Sequence, residues 1–220
     1  MLNATMTLAD IAVTNPAATR VFARHHLDFC CGGKQTVADA CRKAGLESRD
    51  LIAEIEREQP SAAADERWDE RPLADLVDFV VERYHGALRR QLPYLVQLSA
   101  KVENRHAEKA TCPRGLNALL NEMHAEVSAH LMKEEQVLFP MIKMGRGAAA
   151  QMPIRVMMQE HDDHGANLRR VRELTADLIP PPEACTSWRA LYSGLEELER
   201  ELHEHIHLEN NVLFPRALAG

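Results

Sequence analysis

His130-Leu-Met-Lys-Glu134-Glu-Gln-Val-Leu-Phe-Pro140 returns 75 residues later as His205-Ile-His-Leu-Glu209-Asn-Asn-Val-Leu-Phe-Pro215. Each phrase sets a glutamate four residues after a histidine and closes on Val-Leu-Phe-Pro. On a helix, residues four apart share a face with β-carbons roughly 5–6 Å apart, so both can bind the same metal pair. His85 and His161 precede the two phrases by 45 and 44 residues. The offset is therefore an internal repeat of a helix pair whose matching polar residues point inward, which predicts a site with two-fold symmetry.

Helical periodicity extends outward from these phrases. A first stripe carries Leu73, Val77, Val81, His85, Leu88, Leu92 and Leu95, with Pro93 expected to kink it. From about Pro113 a second stripe carries Leu116, Leu119, Met123, Val127, His130, Glu134 and Leu138, and a Gly/Ala loop, Gly145 to Gln151, follows it. The third starts near Pro153 with Ile154, Met157, His161, Leu168, Val171 and Leu178. Beyond Pro180-Pro-Pro182, Thr186 or Ser187 caps a fourth with Leu195, Leu198, Leu202, His205, Glu209 and Val212. Long helices joined by short loops predict an all-α, up-down-up-down four-helix bundle over residues 72–220. Ahead of it, residues 1–58 read as a small helical domain. Asn15-Pro16 is its first helix start, Cys30-Cys31-Gly32-Gly33 a break, and Thr36 and Ser48 are N-caps. Residues 59–71 are polar and rich in small side chains, as a linker is.

Composition agrees. Aromatic residues make up only 5% while apolar residues reach 45%, a balance that favours helices over strands. A net charge of −7 argues against nucleic acid as a partner, since binding a phosphate backbone needs a basic face. No apolar run approaches the roughly 18 residues of a membrane span, and no signal-peptide segment opens the chain, so a cytoplasmic location without membrane attachment is expected. Five scattered cysteines form no secreted disulfide framework.

The polar residues on the stripes need a partner. Burying an unpaired carboxylate is expensive, and no Lys or Arg lies on the central turns to neutralise Glu134 or Glu209. A metal pair accounts for all of His85, His130, Glu134, His161, His205 and Glu209. Imidazole and carboxylate suit iron, manganese or zinc, and two carboxylates can bridge two cations. Two histidines and two shared glutamate oxygens per ion leave open positions for an oxo bridge, water or a diatomic molecule. Zinc is disfavoured, because it prefers closed four-coordinate sites.

With those residues in place, the chain resembles the hemerythrin-like di-iron family over residues 72–218. It departs from the oxygen carriers of that family in two ways. Gly165 stands where they have a further histidine one turn after the third-helix ligand, with His164 a second-choice substitute. The chain also ends in H-x-x-x-E rather than H-x-x-x-x-D, and the more open site argues against reversible oxygen carriage. Asp28-Phe-Cys30-Cys31-Gly-Gly-Lys34 ahead of such a bundle resembles the di-iron family for repair of iron centers, the iron-sulfur cluster repair proteins. That resemblance implies a cytoplasmic homodimer holding two non-haem iron ions with an oxo or hydroxo bridge. It also implies damaged iron-sulfur proteins as partners and repair of nitrosative or oxidative damage by iron supply or nitric oxide removal. Two other classes use the same ligands: a di-iron oxidoreductase acting on nitric oxide, nitrite or peroxide, and a sensing module for a diatomic gas or for iron.

Beyond the ligands, Cys30 and Cys31 suit redox or transfer chemistry, with Lys34, His25 and His26 expected to lower a thiol pKa. Against this stands their reading as small core residues. A stable bond between neighbouring cysteines is strained, so transient thiol chemistry is expected. Cys41, Cys112 and Cys185 read as structural. Glu126, one turn before His130, and Glu160, beside His161, are the candidates to hydrogen-bond a ligand or line an ion path. A solvated face is the competing reading, more strongly for Glu160. His106, His124, His203 and His207 are expected at the surface.

Overall fold

In the computed structural model, which describes residues 2–58 and 66–220, the chain is all-α, and an isolated antiparallel bridge joins Thr7 to Thr36. Four short helices open it: α1 (Leu8–Thr14), α2 (Ala18–Arg24), α3 (Val37–Ala44) and α4 (Ser48–Arg57). Four longer helical stretches follow. The first is α5 (Leu73–Val80), a widened π-turn (Val81–His85) and α6 (Gly86–Arg105). The second is α7 (Leu116–Lys133), a π-turn (Glu134–Leu138) and α8 (Phe139–Lys143). The third is α9 (Gln151–Leu174), entered through a 3-10 turn (Gly147–Ala150). The last is α10 (Thr186–Leu208), a π-turn (Glu209–Leu213) and α11 (Phe214–Ala219).

The chain divides into two compact units. One comprises Phe79–Pro140 and Met152–Leu202. Its core is shared by α6, α7, α9 and α10: Leu88, Leu92, Leu95, Leu119, Met123, Leu168, Val171, Leu195 and Leu198 pack around a fully buried Trp188. This is the four-helix bundle that the periodicity predicts. Gly194 sets how near α10 lies to α6, because a β-carbon there would come within 2.8 Å of Leu95 Cδ2. The stripe of the third helix stops sooner than expected. Leu178 lies outside α9, in a turn where Ala176, Asp177 and Leu178 all have positive φ, between 50° and 61°. Left-handed backbone costs about 1–2 kcal/mol per residue. Burial of the Leu178 side chain and a bond from the Asp177 N–H to the Arg172 carbonyl (2.9 Å) offset part of that.

The other unit comprises Met1–Asp78, Met141–Gln151 and His203–Gly220. Leu8, Ile11, Val21, Phe22, Phe29, Val37, Leu51 and Ile55 form a core cluster in it. Thr36 caps α3, its hydroxyl accepting the Asp39 N–H, as the sequence reading expects. Thr7 does the same for α1, a helix that reading lacks. Asn15 consequently sits at the C-terminal end of α1 and does not start α2, and Ser48 is the first residue of α4, with Glu47 in the cap position. Of the stretch read as a linker, residues 59–65 lie outside the described residues. Beyond them Trp68 is buried, and the carbonyls of Trp68 and Arg71 accept from the Arg216 guanidinium at 2.6 and 2.7 Å.

The two Val-Leu-Phe-Pro endings explain two of the widened turns. Pro140 and Pro215 have no N–H to donate, and a proline ring crowds the carbonyl four residues back. An inserted residue just upstream relieves that crowding. The N–H groups of Phe139 and Phe214 accordingly bond to the carbonyls of Glu134 and Glu209, five residues back. The first stretch widens in the same manner, with the Gly86 N–H on the Val81 carbonyl, although no proline follows it closely.

Candidate metal centre

His85 ends one widened turn, and Glu134 and Glu209 each begin one. Turns of this kind re-aim side chains and are frequent at functional sites. The structure brings all six stripe residues together in two groups. One holds His85, Glu134, His205 and Glu209, the other His130, Glu134, His161 and Glu209. Within each group the ligand atoms all lie within 4.8 Å of one another, and every member is buried. Both glutamates belong to both groups. Glu134 faces His85 Nε2 and His130 Nε2 at 3.4 Å each, Glu209 faces His205 Nε2 at 3.1 Å, and the Nε2 atoms of His130 and His161 are 3.1 Å apart.

Two carboxylates at the rim determine what those nitrogens present. His85 Nδ1 lies 2.7 Å from Glu135, which also accepts from Arg89 at 2.9 Å. His130 Nδ1 lies 2.8 Å from Glu160, which is paired with Lys133 as well. Burial would raise the pKa of both carboxyls, but hydrogen bonds from Arg89 and His85, and from Lys133 and His130, hold them below the ordinary value. Each therefore accepts an Nδ1–H and leaves the Nε2 lone pair of its histidine aimed at Glu134. Lone pairs and carboxylate oxygens converge from several directions, an arrangement that fits bound cations. The support is not symmetric, since the repeat places Asn210 opposite Glu135 and Tyr84 opposite Glu160. Glu135→Gln and Glu160→Gln should each weaken iron retention by about 10–100-fold, measured by competition with a chelator. Retention equal to that of the unmodified chain would show that neither carboxylate supports a ligand.

Glu135 escapes sequence reasoning because it lies one residue off the apolar stripe, where a solvated face is the natural expectation. Glu126 is largely exposed and accepts from Asn167 Nδ2 at 2.8 Å. His164 is buried, its ring 5.1 Å from that of His130.

Asp28 organises the paired cysteines. Its Oδ1 accepts the N–H of Cys30 (3.2 Å) and of Cys31 (3.0 Å), and lies 3.2 Å from Cys30 Sγ. A β-carbon on Gly33 would collide with the Phe29 carbonyl, so the loop admits no side chain there. The expected lowering of a thiol pKa is not found at Cys30. Its contact with Cys31, burial and the Asp28 charge push that thiol well above its ordinary value. The cations meant to lower it are elsewhere: His25 bonds to Glu54 at 2.7 Å, and Lys34 is exposed. Cys41 and Cys112 are buried, whereas Cys185 is exposed and sits 3.2 Å from His106 Nε2.

His207 is also not a surface residue. It is buried against the Phe29 ring, at 5.4 Å between centroids, and burial depresses its pKa to about 4. His203 is half-buried beside the same ring.

A helical bundle whose inward histidines and glutamates form overlapping metal groups defines a hemerythrin-like metal-binding protein. The model of the hemerythrin HHE cation binding domain matches residues 76–217, and a domain of unknown function, DUF542, matches residues 4–59. The iron-sulfur cluster repair protein YtfE of Pectobacterium carotovorum subsp. carotovorum (strain PC1) is 50% identical over 97% of this chain and 96% of its own length. The protein of the same name from Yersinia pseudotuberculosis serotype IB (strain PB1/+) is 49% identical, with the same shares covered. The chain belongs to this family of hemerythrin-like iron-sulfur cluster repair proteins. Among the described residues, no helix is long and apolar enough to cross a membrane.

Proposed function

We propose that this chain is a cytoplasmic non-haem di-iron protein that restores iron-sulfur clusters damaged by nitrosative or oxidative stress, by supplying iron or removing nitric oxide. The observation that carries the reading is the pair of overlapping ligand groups that share Glu134 and Glu209. Sharing is what two adjacent cations require, because a bridging carboxylate screens their mutual repulsion. The printed names of the relatives point to the same role.

In this reading His85 and His205 complete one position, His130 and His161 the other, and Glu134 and Glu209 bridge. Two iron ions with an oxo or hydroxo bridge, held by these residues, would supply redox chemistry there. The chain contributes orientation and charge. Glu135 and Glu160 hold two imidazoles in the tautomer that offers Nε2, and the burial of all six ligands keeps competing water away. Gly165 takes the place of a further histidine and so leaves a position open to small molecules. Residues 72–220 hold the iron, while residues 1–58 present Cys30 and Cys31, a division that the two matched segments support.

The test is an anaerobic incubation of protein loaded with isotopically labelled iron and an enzyme whose iron-sulfur cluster has been nitrosylated. Labelled iron should appear in the recovered cluster, or nitric oxide should leave it, in proportion to the protein added. Many turnovers of nitric oxide, nitrite or peroxide with an artificial reductant, and no recovery of the cluster, would make the protein an oxidoreductase instead.

A further inference from the structure

The loop that carries Cys30 and Cys31 is fastened to the widened turn that begins at Glu209. Asn211 is the third residue of that turn. Its Nδ2 donates to the carbonyl oxygens of Phe29 and Cys30, at 3.3 Å each, and lies 3.0 Å from His207 Nδ1. The Phe29 ring packs edge-on against the buried His207 and against His203, at 5.4 and 6.2 Å. Asp28 and Gly33 make the loop stiff from its other side, through the bonds to the Cys30 and Cys31 N–H groups and the close approach to Phe29. A loop held in this way cannot swing its thiols outward without releasing Asn211. The Glu209 carbonyl accepts the Phe214 N–H across the same turn, so a change in the backbone at Glu209 is passed on to Asn211 two residues later.

We propose that Asn211 is a positioning residue that latches the Cys30–Cys31 loop to this turn, so that the turn bearing Glu209 governs access to the buried Cys30 thiol. The latch rests on the reading that the thiols work together with the metal centre. Coupling of this kind is reciprocal: the factor by which bound iron lowers the equilibrium population of the open loop is the factor by which an open loop weakens iron binding.

N-ethylmaleimide labelling of Cys30 in the full chain with and without iron, read separately from the half-exposed Cys31 by mass spectrometry of fragments, tests it. In the unmodified chain iron should slow labelling. Asn211→Leu, which gives up both long bonds to the loop carbonyls, should label about three- to tenfold faster and should lose the dependence on iron. Asn211→Asp should behave alike, because a carboxylate cannot donate to two carbonyls. Arg216→Ala, which gives up the bonds to the Trp68 and Arg71 carbonyls, serves as the control for general loosening and should label at the original rate. Original labelling rates in both Asn211 variants would overturn the latch, as would equal acceleration by Arg216→Ala. Fast labelling of the Asn211 variants, alongside full cluster repair by Cys30→Ala/Cys31→Ala, would leave the latch standing and remove the role of the thiols in repair.

Discussion

Glu134→Leu or Glu209→Leu should strip the protein of iron while the helices stay intact. Each glutamate belongs to both candidate groups, so in the proposed di-iron reading a single substitution removes a donor from both positions at once. Outer carboxylates alone are worth about 10–100-fold in metal affinity, and a shared inner ligand should cost at least that. The bundle tolerates the change because leucine has similar volume and both positions are fully buried. Iron per chain after anaerobic loading and far-ultraviolet circular dichroism on the same samples give the two readings. Iron held at the level of the unmodified chain, or helicity lost, would contradict the shared-ligand arrangement.

The Cys30→Ala/Cys31→Ala variant should bind its full iron and yet restore damaged clusters at least about tenfold more slowly, a difference of roughly 1.4 kcal/mol in the barrier. None of the six candidate ligands lies in the loop, so the iron content has no reason to change. Contact with Cys31 and burial hold the Cys30 thiol well above the ordinary thiol range. A partner that opens the loop would remove part of that burial and make the thiols reactive where they are needed. If the cysteines are only small core residues, the variant should instead melt lower and repair in proportion to its folded fraction. Iron content, melting temperature and repair rate measured on one preparation separate the two outcomes. Full repair at full iron content would end the transfer reading.

How much was legible in the sequence follows from what each signal encodes. A stripe of apolar residues at helical spacing depends only on neighbours in the chain, so four long helices and their buried faces could be read directly. The repeated H-x-x-x-E phrase likewise brings together side chains on one turn. Errors arose where a second element intervenes. His207 lies off the ligand stripe of its helix, where a surface position is the natural expectation, yet Phe29, 178 residues earlier in the chain, covers it. Asn15-Pro16 looks like a helix start, but the Thr7 cap places a helix immediately before it.

The stripes and the doubled phrase by themselves determined the all-α fold class and the six inward residues, because helical periodicity is a local property with one period. Only the tertiary structure decided that Glu135 and Glu160 orient His85 and His130, and that Asn211 grips the cysteine loop. Those contacts depend on how far one helix is slid and rotated against the next. The widened turns shift that register by one residue; the Phe-Pro endings mark where two of them fall, but not which side chain of another helix each then faces.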